Sequence, residues 1–553
     1  MNTRTLGKLA LAVQIALYGG AACALSMEER MEQMEGMMQK MQQQLEKTQE
    51  ENAQLKQQLT GKPAPVAANG AGGKGKEESA ALTDKVASLE KKIEQDNDKV
   101  ASLEKKIDQD KKAAAEVAKG APKFEVGQNG VTFKSADENY RLRLGGYVQA
   151  DARFFLDNTT LDSNTPASNA VNDQFLIRRA RLTLDGTLFK WADFRLSPDF
   201  AGSTLRLFDA FADLHYFDYA ALMAGKMRVP VSLERYQTAP NLTFIERGYP
   251  AETAPNRDVG LMLHGQFGYP GYKTQYTVQP MFKEFLSYEV GVFDGTRDNQ
   301  AVQNSDSDKD NNKEMAARLF THPFLHSGSP GIEGMGFGVA GTWGRPKYNN
   351  MPTLVSVGQN NIVTYTGGTA NTLATGDSYR IYPQMYWYVG SFGLLGEYVI
   401  STQQLQGNYT QSGKIKTAES RMQNEAWQIQ TSYILTGEKA SFFAVKPTKN
   451  FDPFNGAWGA LQVAARWTEL NIGDSLFQNY GTKTAPVYVF SDPRQSVSQA
   501  STWSLGLNWF LNPNVKIAAN YDQTSFKGGA GAGTVYLSRD MEKVFMTRFQ
   551  VQF

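Results

Sequence analysis

The chain has 553 residues, which is enough for several domains or for one large barrel with an appendage. Its 57 Lys and Arg residues against 56 Asp and Glu give a formal net charge of +1, which argues against a strongly basic nucleic-acid-binding protein. Aromatic residues make up 11% of the chain and glycine occurs 50 times, a mixture that suits β-strands and their turns.

The first 24 residues predict a secretory signal peptide. Arg4 and Lys8 precede an apolar run at residues 9–18, and the small residues around Cys23 lead us to expect cleavage after Ala24. Acylation of Cys23 is the alternative, although the residues before it lack the usual leucine. Cleavage would remove the single cysteine, so we expect no disulfide in the mature protein. No later segment has 18 consecutive apolar residues, so the sequence predicts no transmembrane helix.

Residues 25–60 predict a coiled coil, because two series of mostly apolar residues recur at intervals of seven: Met27, Met34, Met41, Thr48, Leu55 and Met31, Met38, Leu45, Asn52, Leu59. The alternative is an amphipathic helix packed on a globular core. A Pro/Gly/Ala-rich linker is predicted at 61–80 and a second coiled-coil segment at 81–116, where KVASLEKKIEQDND is followed by the near repeat KVASLEKKIDQD. Residues 117–135 predict a second linker.

From residue 136 to 553 the hydrophobic period changes to two, which is typical of strands. The segments YRLRLGGYVQADARFF, RRARLTLDGTL and TWSLGLNWF alternate in this way, and so does the final MTRFQVQF, with Phe549, Val551 and Phe553 on one face. Tight turns such as LNPN contrast with polar stretches beginning at Gly358 and Gln404. A soluble β-sandwich would also alternate, but strand after strand with Arg, Asp, Gln and Tyr on the polar face favours an outer-membrane barrel.

Several long segments resemble the phosphate-selective porin O and P family: FLIRRARLTLDGTLFKWADFRLSPDF, NLTFIERGYPAETAPNRDVGLMLHG and VKPTKNFDPFNGAWGALQVAARW. The resemblance covers essentially residues 140–553. It implies an all-β transmembrane barrel of about 16 antiparallel strands, preceded here by the α-helical coiled-coil segment. It also implies a homotrimer in the outer membrane of a Gram-negative bacterium, in contact with lipid and lipopolysaccharide, with a pore narrowed by its third loop. The terminal strand, through Phe549, Val551 and Phe553, would be the signal for the barrel-insertion machinery.

The function implied by this resemblance is a water-filled channel for passive diffusion of small solutes, with a preference for anions such as phosphate or other oxyanions. Alternation and the matched third-loop region give the candidate pore-lining, anion-binding residues: Arg141, Arg143, Arg153, Arg179, Arg181, Arg195, Lys226, Arg228, Arg235, Arg247 and Arg257. Guanidinium groups suit oxyanions because they stay charged and present a planar fork.

The competing interpretation is that these arginines only brace the wall, since residues 140–258 hold 14 basic and 14 acidic residues. The third-loop stretch from Ser232 to Asn256 contains no lysine, which departs from the most phosphate-selective relatives and leaves phosphate specificity open. The sequence indicates no enzyme and no cofactor, because the four histidines lie in no catalytic motif. His322 and His326 could suggest a metal pair, but loop histidines are the commoner explanation.

A structural protein is the alternative function. The coiled coil, expected in the periplasm, would then tether the barrel to peptidoglycan or to a periplasmic protein. Three barrels side by side would also bring three N-termini together, so that the Met/Leu series of residues 27–59 could form a parallel trimer. No nucleic-acid partner is expected.

Overall fold

The computed structural model describes residues 3–60, 74–156, 171–268, 284–295, 310–366 and 372–553. The chain divides into a helical unit, Met1–Pro122, and a barrel unit, Lys123–Phe553. Most of the linker predicted at 61–80 lies outside the described residues.

The helical unit consists of α1 (Thr3–Thr60) and α2 (Lys74–Gly120). Its helices pair antiparallel, since Lys111 Nζ lies 2.9 Å from Glu35 Oε1 and Lys56 Nζ lies 2.6 Å from Glu90 Oε1. Helix α1 also runs through the predicted signal peptide. Among the described residues, no helix combines the length and the apolar character needed to cross a membrane.

The heptad series of α1 and α2 face each other within one chain. Val86, Val100 and Ile107 of α2 are buried there, and so are Thr48 and Asn52 of α1. Polar residues in an otherwise apolar seam fix the register of a coiled coil at some cost in stability. A parallel trimer through the same series would therefore require this hairpin to open.

Sixteen strands form a closed antiparallel barrel in the part of the chain that the structure describes. They are β3 (Tyr140–Leu156), β4 (Gln174–Leu188), β5 (Ala192–Asp199), β6 (Arg206–Phe217), β7 (Ala220–Arg228), β8 (Arg257–Phe267), β9 (Leu286–Phe293), β10 (Glu314–Thr321), β11 (Met335–Gly344), β13 (Leu373–Val389), β14 (Phe392–Gln411), β15 (Lys414–Ile434), β16 (Ala460–Asn471), β17 (Val497–Phe510), β18 (Val515–Ala530) and β20 (Glu542–Gln552). The short strands β1 (Lys123–Gly127), β2 (Gly130–Lys134), β12 (Lys347–Asn350) and β19 (Leu537–Ser538) complete the sheet. The predicted barrel of antiparallel strands is confirmed.

The last strand closes the barrel onto the first. Strand β20 pairs with β3 from Gln552 opposite Tyr147 to Lys543 opposite Leu156. Beyond this ladder, Phe553 and Gly146 exchange two backbone hydrogen bonds of 2.9 Å each. This closure pairs the backbone of the first and last strands, as a hydrocarbon environment requires.

A β-hairpin occupies part of the region predicted as the linker 117–135. Strands β1 and β2 pair through a turn at Gly130, whose positive φ of 85° suits glycine. Strand β2 then pairs with residues 141–144 of β3, next to the position where β20 ends. Each strand has only five residues, too short for the alternation to stand out in the sequence.

The two faces of the barrel have opposite polarity. Phe549 is 50% exposed on the outer face of β20, whereas Arg548 is 2% exposed on its inner face. Strand β3 repeats this arrangement, with Val148 exposed and Gln149 buried. An apolar outside and a polar inside invert the arrangement of a soluble protein and match a barrel wall in lipid.

Residues 229–256, between β7 and β8, form a loop that enters the barrel and is called the inserted loop below. It contains the short helices α3 (Leu233–Tyr236) and α4 (Tyr249–Glu252). The loop is bound by opposite walls, since Gln149 Nε2 of β3 donates to Ala239 O at 3.3 Å and Tyr382 Oη of β13 donates to Thr253 O at 2.7 Å. This is the position expected of the constricting third loop.

Further loops fill one side of the interior. Leu354, Ile362 and Phe490, from the β11–β13 and β16–β17 connections, form a buried cluster with Ile245 and Tyr249 of the inserted loop. On the other side of that loop, a second apolar cluster joins Leu233 and Tyr236 with Phe442 of the β15–β16 connection. The apolar packing holds the inserted loop in place, and a polar space remains beside β3–β8.

The polar stretch that begins at Gln404 is strand rather than loop. Strands β14 and β15 continue through it and join at Ser412 and Gly413, whose φ angles of 52° and 72° belong to a tight two-residue turn. Long polar sequence therefore extends the wall here, because the ladder hydrogen bonds do not require apolar side chains.

We expect a chain beginning at Lys123 to form the barrel, because the closing pair and the inserted loop lie wholly within the barrel unit. A shift in electrophoretic mobility between unheated and boiled samples of the purified variant checks this expectation. A product whose mobility does not change on boiling would show that the helical unit is needed for folding.

Candidate functional site

A cavity of about 370 Å³ lies between the β3–β8 wall and the inserted loop. Among the described residues, nine arginines line it: Arg178, Arg179, Arg181, Arg195, Arg206, Arg228, Arg235, Arg247 and Arg257. Only Asp199 and Asp209 carry negative charge in the same lining, which leaves an excess of seven positive charges. Clustered like charge in a low-dielectric wall attracts ions of the opposite sign.

Seven of the eleven predicted residues line this cavity: Arg179, Arg181, Arg195, Arg228, Arg235, Arg247 and Arg257. The other four lie outside the lining. Arg141 is exposed near the start of β3, Arg143 pairs with Asp185, and Arg153 Nη2 lies 3.0 Å from Glu246 Oε1.

Lys226 is the fourth; its side chain is 3% exposed and it is not part of the described lining of the cavity. It pairs with Ala210 on β6 and with Val259 on β8. Arg228 is two residues further on, where the chain turns inward into the inserted loop, and it donates to Tyr236 O.

Two β-bulges add residues to the lining of the cavity that simple alternation along the strand would place on the outer face. In β4, Arg179 pairs with Gln149 and Ile177 with Ala150, so Arg178 is an extra residue between them. In β6, Phe208 is the extra residue opposite the step between Ser197 and Pro198. A bulge re-aims a side chain, and both Arg178 and Phe208 line the cavity. Pro198, at the step opposite Phe208, is a sequence signal for the second bulge, because proline within a sheet is confined to edges, strand starts and bulges.

Acidic residues neutralise some of the predicted arginines. Arg181 Nη2 lies 2.7 Å from Asp199 Oδ2, Arg257 Nε lies 3.1 Å from Asp209 Oδ1, and Arg195 Nε lies 2.6 Å from Asp185 Oδ1. The Arg181 and Arg195 pairs join the neighbouring strands β4 and β5, whereas the Arg257–Asp209 pair joins β8 to β6 across β7. All three pairs brace the wall.

Other arginines donate to backbone carbonyls of the inserted loop. Arg235 Nη2 lies 2.5 Å from Ala251 O, and Arg247 donates to Glu234 O at 3.1 Å and to Gln237 O at 3.0 Å. A carbonyl satisfies the N–H donors without cancelling a full charge. Bracing and anion attraction therefore belong to different arginines of the same cavity.

The inserted loop carries ionisable groups whose pKa values are shifted by burial and by the neighbouring arginines. Burial and the neighbouring Arg235 lower the pKa of Arg247 to about 9, which still leaves it mostly protonated at neutral pH. Burial alone would raise the pKa of Glu246, but Arg178 and Arg179 hold it well below its usual range. Burial raises the pKa of Glu252 to about 7, although Arg235 opposes that shift.

Phe208 provides an aromatic surface within the arginine cluster. The guanidinium carbon of Arg181 lies 3.7 Å from its ring centroid and that of Arg257 lies 5.4 Å away. Stacking on an aromatic face restrains a guanidinium while leaving its edge donors available.

The described residues contain no group of three or more His, Cys, Asp or Glu side chains arranged to hold a metal ion. His322 contacts Glu284 O through Nδ1 at 2.8 Å and Tyr386 Oη through Nε2 at 2.6 Å. Both of its ring nitrogens thus have protein partners.

A closed sixteen-strand barrel with an apolar exterior, a polar interior and a loop folded into its lumen defines a porin. The profile of the family described as phosphate-selective porin O and P matches residues 148–553, and the chain belongs to this family. It is therefore an outer-membrane channel rather than an enzyme.

The chain is 24% identical to Porin O of Pseudomonas aeruginosa over 442 residues, covering 74% of this chain and 90% of that protein. Among solved structures it is similar to the outer membrane channel DcaP of Acinetobacter baumannii, with a TM-score of 0.44, 11% identity, and coverage of 76% of this chain and 99% of that one. The trimer form of OmpT of Vibrio cholerae has a TM-score of 0.41 and 9% identity, with coverage of 75% and 99%.

Proposed function

We propose that the protein is a porin for passive diffusion of small anions, with phosphate and other oxyanions as the candidate solutes. The observation that carries this proposal is that nine arginines and two aspartates line the cavity beside the inserted loop. Membership of the phosphate-selective porin O and P family supports it.

The proposed pathway follows the inner face of the first strands. Arg179 and Arg181 are two residues apart on β4, about 7 Å along the strand. Further along β4, four residues after Arg181, Asp185 pairs with Arg195 of β5. Arg143 of β3 pairs with the same carboxylate. Carboxylates brace these wall arginines, so the groups on this pathway that would exchange part of an anion's hydration for charge-assisted hydrogen bonds are Arg228, Arg235 and Arg247, which donate to backbone carbonyls.

The purified protein in a planar bilayer with a salt gradient tests this proposal. We expect a reversal potential of anion-selective sign that weakens as the salt concentration rises, because the Debye length falls from about 10 Å at 0.1 M to about 3 Å at 1 M. A preference for cations would mean that the acidic residues dominate the pore and that the arginines serve only to brace the wall.

We further propose a homotrimer embedded in outer-membrane lipid and lipopolysaccharide, inserted through recognition of Phe549, Val551 and Phe553. The start of β3 and the end of β20 lie at the same end of the barrel, since the two strands pair antiparallel. Family membership favours the periplasm for that end, and hence for the helical unit. Cleavage of the 81–116 segment by protease added to intact cells would contradict this orientation.

The structural alternative, a tether to peptidoglycan or to a periplasmic protein through the coiled coil, remains a prediction. The helices already pair with each other, so a tether would act through their outer, largely charged faces. Co-sedimentation of the full-length protein with isolated peptidoglycan, lost from a chain beginning at Lys123, would support it.

A further inference from the structure

Glu246 of the inserted loop is surrounded by arginines from three strands of the wall. Its carboxylate lies 3.0 Å from Arg153 of β3, 2.6 Å from Arg178 and 3.8 Å from Arg179 of β4, and 3.7 Å from Arg548 of β20. The Glu246 side chain is only 3% exposed. One buried anion thus faces four cations.

Two of those four cations belong to the cavity. Arg178 and Arg179 both line it, so the carboxylate of Glu246 borders the space through which an anion would pass. Arg548 has a separate partner, because its Nε and Nη2 each lie 2.7 Å from an oxygen of Asp151. Glu246 is therefore the carboxylate that faces Arg178 and Arg179, whereas Arg181, the third cavity arginine of β4, pairs with Asp199.

The contact between Arg178 and Glu246 has the form of an arginine–oxyanion complex. Arg178 Nε lies 2.6 Å from Glu246 Oε1 and its Nη2 lies 3.2 Å from Oε2, so both carboxylate oxygens are bound by one guanidinium fork. A carboxylate and a small oxyanion use this fork in the same way. The side chain of Glu246 thus holds the place that a solute anion would take.

We propose that Glu246 is a built-in competitor of the permeating anion, which occupies the Arg178–Arg179 pair so that solutes are attracted to the cavity without being trapped there. This inference rests on the proposed function of anion diffusion. Conduction needs sites that are favourable enough to enter and weak enough to leave. Without Glu246, Arg178 and Arg179 would favour entry of an anion into the cavity and oppose its release.

Glu246→Gln is the direct test, because it removes the charge and keeps the size of the side chain. In a bilayer carrying chloride current at pH 6, inorganic phosphate should block the variant at a concentration at least about tenfold lower than the wild type. Reversal potentials should also become more strongly anion-selective.

Glu252→Gln is the matched control, since Glu252 lies in the same loop and is 5% exposed. Its pKa of about 7 makes it largely neutral at pH 6, so this substitution changes the charge little, whereas Glu246 stays ionised. The wild-type phosphate block should therefore persist in Glu252→Gln.

The double variant Glu246→Gln with Arg178→Gln shows whether stronger phosphate block comes from the lost charge or from the lost contact that anchors the inserted loop. It also lacks the Glu246–Arg178 contact, but it keeps the net charge of the wild type, so phosphate block should return towards the wild-type concentration. Equal block in the wild type and in Glu246→Gln, or the same strong block in the single and double variants, would overturn the inference. Cation preference of the wild type would instead overturn the proposed function.

Discussion

Replacing Arg228 and Arg247 together by glutamine should remove most of the anion selectivity of the channel. Both line the cavity and both donate to backbone carbonyls of the inserted loop. Two unit charges about 7 Å apart interact by roughly 1–2 kcal/mol at an intermediate dielectric constant. The loss of each cation should therefore lower the anion-to-cation permeability ratio by about fivefold, as measured from reversal potentials in a salt gradient.

These two positions are chosen because the barrel should tolerate their substitution. Replacing Arg181 would leave Asp199 as a buried carboxylate without its bound guanidinium, and breaking such a pair costs about 3–5 kcal/mol. The hydrogen bonds of Arg228 and Arg247 go to carbonyls, to which a glutamine amide can still donate. A change in selectivity can then be assigned to charge rather than to unfolding.

Lys226→Gln is the matched control for Arg228→Gln. The two residues lie on the same strand and are both buried, and each substitution removes one positive charge, but only Arg228 lines the cavity. The reversal potential of the Lys226→Gln variant should stay close to that of the wild type. Equal effects of the two single substitutions would show that net charge matters and that the cavity has no special role.

The fold was accessible from the sequence because a barrel wall needs alternation in every strand. Phe549 is exposed and its neighbour Arg548 is buried, as alternation along a strand predicts, and the same holds for Val148 and Gln149. The third-loop position came from resemblance alone. Apolar and polar residues follow no regular period in this loop, because the loop packs against several different strands.

The lining of the cavity was harder to predict from the sequence, because the direction of a side chain depends on the register of its strand. Alternation excluded Arg178 and Phe208, and bulges at these positions turn them into the cavity. It included Lys226, which is buried and does not line the cavity. A bulge depends on the partner strand, so one strand read alone cannot reveal it.

The balance of charge was also hidden from the sequence. Residues 140–258 contain equal numbers of basic and acidic residues, yet the cavity lining has nine arginines and two aspartates. Folding separates part of the charge, because Asp193, Asp213 and Asp218 lie outside the described lining of the cavity. A composition count averages over both environments and so misses the positive cavity.

Deleting Phe553 should lower the amount of assembled protein in the outer membrane by about an order of magnitude or more, whereas barrels that do assemble should unfold at nearly the wild-type temperature. Phe553 makes two backbone hydrogen bonds with Gly146, each contributing about 1 kcal/mol net. The ladders that join β20 to β3 and β18 remain in the variant. A strong effect on quantity must then come from recognition of the terminal strand during insertion, as we propose.

Phe545→Ser is the control for this deletion. Phe545 lies on the same strand and the same outer face, and its 38% exposure is close to the 42% of Phe553. It therefore has a similar contact with lipid but does not carry the terminal position. Immunoblots of outer-membrane fractions should show a much smaller loss for Phe545→Ser, and heating of the purified proteins should separate stability from quantity. Wild-type levels of the deletion variant would mean that insertion of this barrel does not depend on its last residue, and that Phe553 acts only through the pair it closes with Gly146.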